Sequence, residues 1–134
     1  MNERSLSKHL VLVAGNIGAG KTSLTERLGE RLAWHTAYES VEDNPYLPDF
    51  YGDMKAWSFH LQVFFLGHRA RQHERLAALN TSAIIDRSIY EDAHIFARAL
   101  HALGNMSTRD YRSYQDLYQL IVGKLPRPHL LIYI

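Results

Sequence analysis

Residues 9–24, HLVLVAGNIGAGKTSL, contain the pattern that decides the fold of this 134-residue chain. Residues 9–14 are a short apolar, β-branched run, which predicts a buried strand. After the glycine-rich stretch that follows, apolar residues recur at fourfold spacing, which predicts a helix with one buried stripe that ends near Ala33. The residues of that stripe are Leu24, Leu28 and Leu32. Strand, glycine-rich turn and helix therefore follow one another directly.

The turn between this strand and helix fits the pattern G-x-x-x-x-G-K-[ST] at residues 15–22. In this setting, glycines let backbone N–H groups close around phosphate oxygens at the N-terminus of a helix. We expect Lys21 to neutralise the β and γ phosphates of ATP and the Thr22 hydroxyl to ligate Mg²⁺. The alternative is a structural turn, which the strand-loop-helix context disfavours. The residues predicted to bind ATP are Gly15, Asn16, Ile17, Gly18, Ala19, Gly20, Lys21, Thr22 and Ser23.

The rest of the chain alternates between predicted strands and helices. Two prolines make residues 44–48 irregular, and we expect helix to resume only after Gly52. The further elements are strands at 35–38, 82–86 and 129–134 and helices at 55–79, 89–103 and 108–122. Such alternation predicts an α/β domain over residues 1–134, with a parallel sheet covered by helices on both faces.

The bulk composition excludes several classes of protein. Hydrophobic residues make up 46% of the chain and charged residues 22%, as in folded globular domains. The formal charge of +1 argues against a nucleic-acid partner. The absence of cysteine excludes disulfides and favours a cytoplasmic setting. No apolar run approaches the length of a membrane span, so we expect no membrane partner.

Two carboxylates follow predicted strands directly. Asp86 ends the third strand, where it can hold Mg²⁺ near the loop, and its neighbour Arg87 can reach a phosphate or a reacting oxygen. Glu39 follows the second strand at the same sheet edge, where it can accept the proton of a hydroxyl that is being phosphorylated. The alternatives are a surface ion pair or helix cap for Asp86 and a solvated loop residue for Glu39.

The predicted long helix 55–79 carries polar residues on an apolar surface. Gln62 and Arg69 are seven residues apart and share one face, where a core hydrogen bond or an interface is the more common role than ligand binding. Asp92 is equally uninformative by itself. Apolar residues on more than one side of this helix indicate a partner surface, and we expect a homodimer formed through it. The eight histidines show no His-Glu-x-x-His pattern.

Four stretches taken together resemble one family. They are residues 15–22 (GNIGAGKT), 39–47 (ESVEDNPYL), 57–62 (WSFHLQ) and 86–92 (DRSIYED). In this order they resemble the deoxynucleoside kinases, most closely the bacterial deoxyadenosine/deoxyguanosine kinases. The resemblance implies a three-layer domain of the P-loop kinase type with strand order 2-3-1-4, which transfers the γ-phosphoryl group of ATP to the 5′-hydroxyl of a deoxynucleoside.

The resemblance also implies a role for individual residues. Glu39 matches the carboxylate usually assigned as the base for the 5′-hydroxyl, and Asp86 is a second candidate. Tyr51 matches the tyrosine that binds the sugar 3′-hydroxyl. Gln62, Arg69 and Asp92 match the residues that read the base, and the last two accompany purine acceptance. The catalytic set is thus Glu39, Asp86, Arg87 and Lys21, the substrate-binding set is Glu39, Tyr51, Gln62, Arg69, Arg87 and Asp92, and the metal ligands are Thr22 and Asp86.

Two features depart from the family pattern. Ser40 stands where many relatives have proline, which can loosen the loop that aims Glu39. The family also continues beyond its fourth strand into an arginine-rich lid and a fifth strand, so the resemblance implies that both fall outside these residues and that the chain is a truncated form. Two other functions stay open: a kinase for nucleoside monophosphates or other small molecules, and an inactive nucleotide-binding fragment that associates with a partner.

Overall fold

A computed structural model describes residues 8–16, 18–38 and 44–134. Within them, four parallel strands form one sheet in the order β2-β3-β1-β4, which confirms the predicted order. The strands are β1 (Leu10–Ala14), β2 (His35–Ala37), β3 (Ala83–Asp86) and β4 (Leu130–Tyr133). Val13 of β1 lies opposite Asp86 of β3 and Ile132 of β4, so the carboxyl ends of the three strands lie at one edge of the sheet.

The described residues divide into two compact units. The first consists of the described parts of Met1–Glu39, His73–Ser88 and Pro126–Ile134. The second consists of the described parts of Ser40–Gln72 and Ile89–Leu125. The prediction of one domain over residues 1–134 stays a prediction.

The first unit holds the sheet and helix α1 (Lys21–Leu32). Every residue of β1 and β3 is buried, as expected for central strands of a parallel sheet. On one face, Val11, Val13 and Ile84 pack against the half-buried Leu24 and Leu28 of α1.

The apolar stripe of α1 was predicted one residue too long. Leu32 is 46% exposed, and the buried residues of the helix are Thr25 and Gly29. At Gly29 an added Cβ would collide with the Thr36 side chain, so the helix packs closely on β2 at that point. The helix ends at Leu32, and the residue that caps it, Ala33, adopts a left-handed conformation with φ of 56°.

The second unit is helical. Its elements are α2 (Leu47–Gly52), most of α3 (Met54–Ala77), α4 and α5 (Thr108–Lys124). Helix α4 is formed by three consecutive segments, Ile89–Glu91, Asp92–Ala97 and Arg98–Ala102. The middle part of α4 has π-helical hydrogen bonding. The buried core of the second unit contains Leu66, Ile89, Ala93, Ala97, Tyr114 and Tyr118.

The prediction that helix resumes only after Gly52 was wrong. Helix α2 already begins at Leu47, and Pro48 lies in its first turn, where a proline has no intrahelical N–H bond to lose. Asp53 is extended and separates α2 from α3. None of the described helices combines the length and hydropathy needed to span a bilayer.

Candidate functional site

The glycine-rich loop connects β1 to α1 at the carboxyl edge of the sheet. Gly18 and Gly20 have φ of 82° and 96°, a left-handed conformation that glycine adopts without a steric penalty. At Gly15 an added Cβ would collide with the backbone oxygen of Ile134, so this position has no room for a side chain. These glycines account for the sharp turn of the loop.

Lys21 reaches back across the loop. Its Nζ donates hydrogen bonds to the backbone oxygens of Gly15 at 2.7 Å and Asn16 at 3.2 Å. An ammonium group has three N–H donors, so one remains for a further acceptor. The positive charge therefore lies over the backbone that should surround a phosphate.

The N-terminus of α1 is open to an anion. Gly20 is its cap residue, makes no side-chain capping bond, and is followed by a first turn without an acidic residue. The N–H groups of that turn and the positive end of the helix dipole therefore face no negative side chain of the same turn. Such a terminus binds phosphate oxygens well.

Thr22 and Asp86 meet at the same edge. The Thr22 hydroxyl donates a hydrogen bond of 2.6 Å to Oδ2 of Asp86, and Asp86 is only 5% exposed. Their oxygens suit Mg²⁺, which prefers oxygen ligands and keeps several waters when few protein groups bind it. Among the described residues no group of three or more His, Asp or Glu side chains is placed to hold a metal.

Arg87 has an unusual backbone. Its φ is 80°, in the left-handed region, while its N–H donates to the backbone oxygen of Val13 at 2.8 Å. A non-glycine residue in this conformation is strained, and such residues concentrate at functional sites. The turn directs the chain from Asp86 to the buried Ser88.

In the second unit, the structure brings together two of the three residues predicted to read a base. Nε of Arg69 donates to Oδ2 of Asp92 at 3.0 Å, and the side chains are 2% and 3% exposed. The Arg69 guanidinium also lies over the Phe65 ring, 5.5 Å from its centre. The pair is buried and held from two sides.

Gln62 is buried on α3, two turns before Arg69. It is 3% exposed, and its Oε1 has no hydrogen-bond partner in the described part of the chain. A buried amide oxygen without a partner is costly, so a ligand that supplies a donor would be favoured. The expectation of a satisfied core hydrogen bond thus fails for this oxygen.

Three further predicted site residues are Tyr51, Glu39 and Ile17. Tyr51 lies in α2 and is 70% exposed. Glu39 and Ile17 lie outside the described residues. Sequence reasoning also missed the π-helical turn that begins at Asp92 and the buried Thr25, whose hydroxyl has no partner among the described residues.

Comparison with known proteins identifies a family and several relatives. The family model for deoxynucleoside kinase matches residues 11–134. The chain is 41% identical over 137 residues to a deoxyadenosine/deoxycytidine kinase of Bacillus subtilis, covering 100% of this chain and 63% of that protein. It is 38% identical over 134 residues to a deoxyadenosine kinase of Dictyostelium discoideum, covering 100% of this chain and 54% of that protein. The chain thus spans somewhat more than half the length of these relatives.

Solved structures show the same fold. A deoxyadenosine kinase from M. mycoides with the products dCMP and a flexible dCDP bound superposes with a TM-score of 0.82 and 31% identity, covering 92% of this chain and 62% of that one. The same kinase with bound dATP gives a TM-score of 0.80 and 30% identity, covering 93% of this chain and 63% of that one.

Proposed function

Because the chain belongs to the deoxynucleoside kinase family, we propose that it transfers the γ-phosphoryl group of ATP to the 5′-hydroxyl of a deoxynucleoside, with purine deoxynucleosides preferred. The observation that carries the proposal is the loop itself. Lys21 lies across it, and Thr22 is bonded to the buried Asp86. A lysine at the loop and a hydroxyl beside a carboxylate are the kinds of group that bind the phosphates and Mg²⁺ of a nucleoside triphosphate, and this supports the proposal.

In phosphoryl transfer, these residues would have different roles. The loop N–H groups and Lys21 would bind and neutralise the β and γ phosphates. Thr22 and Asp86 would hold Mg²⁺, which when bound neutralises charge on the phosphate oxygens. The 5′-oxygen would attack the γ-phosphorus and displace ADP, while its proton would pass to Glu39, or to Asp86 if that carboxylate is the base.

Base recognition would rest on the second unit. Gln62 offers a buried oxygen with no partner among the described residues, and Arg69 and Asp92 offer a donor and an acceptor. A site built from such groups rejects substrates that leave them unpaired. The two relatives described above are named as kinases of deoxyadenosine and deoxycytidine, and a further relative from Bacillus subtilis, 36% identical to this chain, is named as a deoxyguanosine kinase. These names support a deoxynucleoside substrate. The purine preference rests on the Arg69 and Asp92 pair, and Tyr51 and Arg87 would bind the sugar and its reacting end.

We also propose that the long helix α3 forms a homodimer interface. Its surface carries a row of rings in which Trp57 and His60 lie 5.1 Å apart and Phe64 and His68 lie 5.9 Å apart. Tyr46 joins them through ring contacts with Trp57, His60 and Phe64. Aromatic side chains that remain partly exposed are typical of interfaces.

The absence of cysteine in the sequence supports a cytoplasmic setting.

The experiment that tests the proposal compares two lysine variants. Lys21→Ala should abolish transfer from ATP to a deoxynucleoside while leaving the melting temperature unchanged, because the ammonium contacts loop carbonyls and not the core. Lys8→Ala is the matched control, since Lys8 also donates to backbone oxygens, those of Ala77 and Leu79, but away from the loop. Unchanged ATP affinity and transfer in Lys21→Ala would contradict the assignment of the loop.

A further inference from the structure

Two buried tyrosines on helix α5 differ in the hydrogen bonding of their hydroxyl groups. Tyr114 and Tyr118 are four residues apart, and their rings are nearly parallel, at 13°, with centres 6.5 Å apart. Both are buried. The Tyr118 hydroxyl is within hydrogen-bond distance, 3.2 Å, of Nε2 of His94. The Tyr114 hydroxyl has no hydrogen-bond partner in the described part of the chain.

The position of Tyr114 makes this unpaired hydroxyl notable. Tyr114 is 1% exposed and belongs to the core that also contains Leu66 of α3 and Ala93 of α4. Leu66 lies one turn before Arg69, and Ala93 follows Asp92 directly. The ring is therefore packed among the segments that hold the buried ion pair.

The charge of Asp92 reaches this hydroxyl. Burial raises the pKa of Tyr114, and the negative carboxylate of Asp92 raises it further. The tyrosine thus keeps its proton throughout the ordinary pH range and can act only as a neutral donor toward Asp92. Asp92 also begins the π-helical segment of α4, and such segments occur frequently at functional sites.

A buried hydroxyl without a partner lowers stability, so phenylalanine would be the better residue for packing alone. We propose that Tyr114 is a positioning residue for base recognition, whose hydroxyl donates a hydrogen bond to the Asp92 carboxylate when a purine base engages Arg69. In the free protein Arg69 bonds Asp92 directly. When the base takes part of that guanidinium's hydrogen bonding, the Tyr114 proton holds Asp92 in place. This inference rests on the proposed function.

The test compares Tyr114→Phe with Tyr118→Phe, a matched control on the same helix whose hydroxyl faces His94. Titration calorimetry measures the binding of deoxyadenosine, deoxyguanosine and ATP, and a thermal melt measures stability. Tyr114→Phe should bind the purine deoxynucleosides roughly tenfold more weakly, the loss of one hydrogen bond to a charged group. It should bind ATP as the parent does and melt at the same or a higher temperature. Tyr118→Phe should keep the parent's nucleoside affinity.

Each other outcome overturns the inference. Unchanged nucleoside affinity in Tyr114→Phe would show that the hydroxyl plays no part in recognition. A lower melting temperature with weaker binding of both nucleoside and ATP would show a structural role only. Nucleoside binding by Asp92→Asn shows whether only the role of Tyr114 is wrong or the proposed function as well. If Asp92→Asn weakens nucleoside binding and Tyr114→Phe does not, only the role of Tyr114 is lost. If neither variant weakens nucleoside binding, or if the parent binds no deoxynucleoside, the proposed base site is contradicted together with the role of Tyr114.

Discussion

At the scale of single residues, the chemistry depends on which carboxylate takes the proton of the 5′-hydroxyl. We propose Glu39 for this role, and the replacement Glu39→Gln keeps its size while removing the basic oxygen. A proton acceptor acts mainly in the transition state, so the variant should lower kcat far more than it raises the KM for the nucleoside. Steady-state kinetics with varied deoxyadenosine measure both. A rise in KM alone would make Glu39 a binding residue.

A second residue-scale prediction concerns the alkaline limit of stability. Burial raises the pKa of Tyr118 to about 12, with a smaller contribution from Tyr90. The unfolded chain therefore loses this proton above about pH 10, before the folded chain does, and stability falls as pH rises from there toward 12. In Tyr118→Phe the free energy of unfolding, measured by urea titration, should fall less steeply with pH over that range. An identical slope in parent and variant would show that Tyr118 does not titrate differently on folding.

At the scale of elements, α3 and α4 together present the buried pair of Arg69 and Asp92. Replacing both residues, as Arg69→Met with Asp92→Ala, removes donor and acceptor together and should shift preference toward pyrimidine deoxynucleosides. Competition between deoxyadenosine and deoxycytidine for one enzyme sample measures the preference. A double variant with the parent's ranking would contradict the role of the pair.

The single variant Asp92→Ala is the control for stability in that experiment. It removes the carboxylate that Arg69 Nε contacts at 3.0 Å and should lower the free energy of unfolding by about 3 to 5 kcal/mol. The double variant removes the buried charge as well and should be less destabilised than the single one. A thermal or urea melt of both variants measures this difference.

These elements also show what the sequence can and cannot predict. The fully apolar runs of β1 and β3 and the fixed spacing of the glycine-rich loop are local signals, so their structure follows from the sequence. The early start of α2 was missed because a proline signals a break but is also accepted in a first helical turn. The pairing of Arg69 with Asp92 and the burial of Gln62 depend on packing between distant segments, and no spacing along one helix reveals that packing. The π-helical turn after Asp92 has no sequence signal that we can identify.

At the scale of the whole molecule, β4 forms one edge of the four-stranded sheet. Leu130, Leu131 and Tyr133 on this strand are 54%, 46% and 64% exposed. An exposed apolar edge strand favours pairing with another chain. We therefore expect the purified 134-residue chain to self-associate, as measured by light scattering over a range of concentrations.

A charged residue on β4 tests whether self-association is caused by pairing of this edge strand or by exposed apolar residues in general. Leu130→Lys should reduce self-association, because a lysine on an edge strand opposes pairing with a second strand. Leu103→Lys is the matched control, since Leu103 is 75% exposed and lies outside any strand. Equal effects of the two variants, or a monodisperse parent, would contradict the edge as the contact.

The proposed function depends most directly on which compound accepts the phosphoryl group. The measurement is the transfer of labelled phosphate from ATP to each of the four deoxynucleosides and to their monophosphates. The enzyme is present at a higher concentration than the acceptor, so that slow turnover is still detected. We predict labelled monophosphates from deoxyadenosine and deoxyguanosine, formed faster than those from the pyrimidine deoxynucleosides and absent with Lys21→Ala. Label that appears only in diphosphates, or in no deoxynucleoside although ATP binds, would contradict the proposed function.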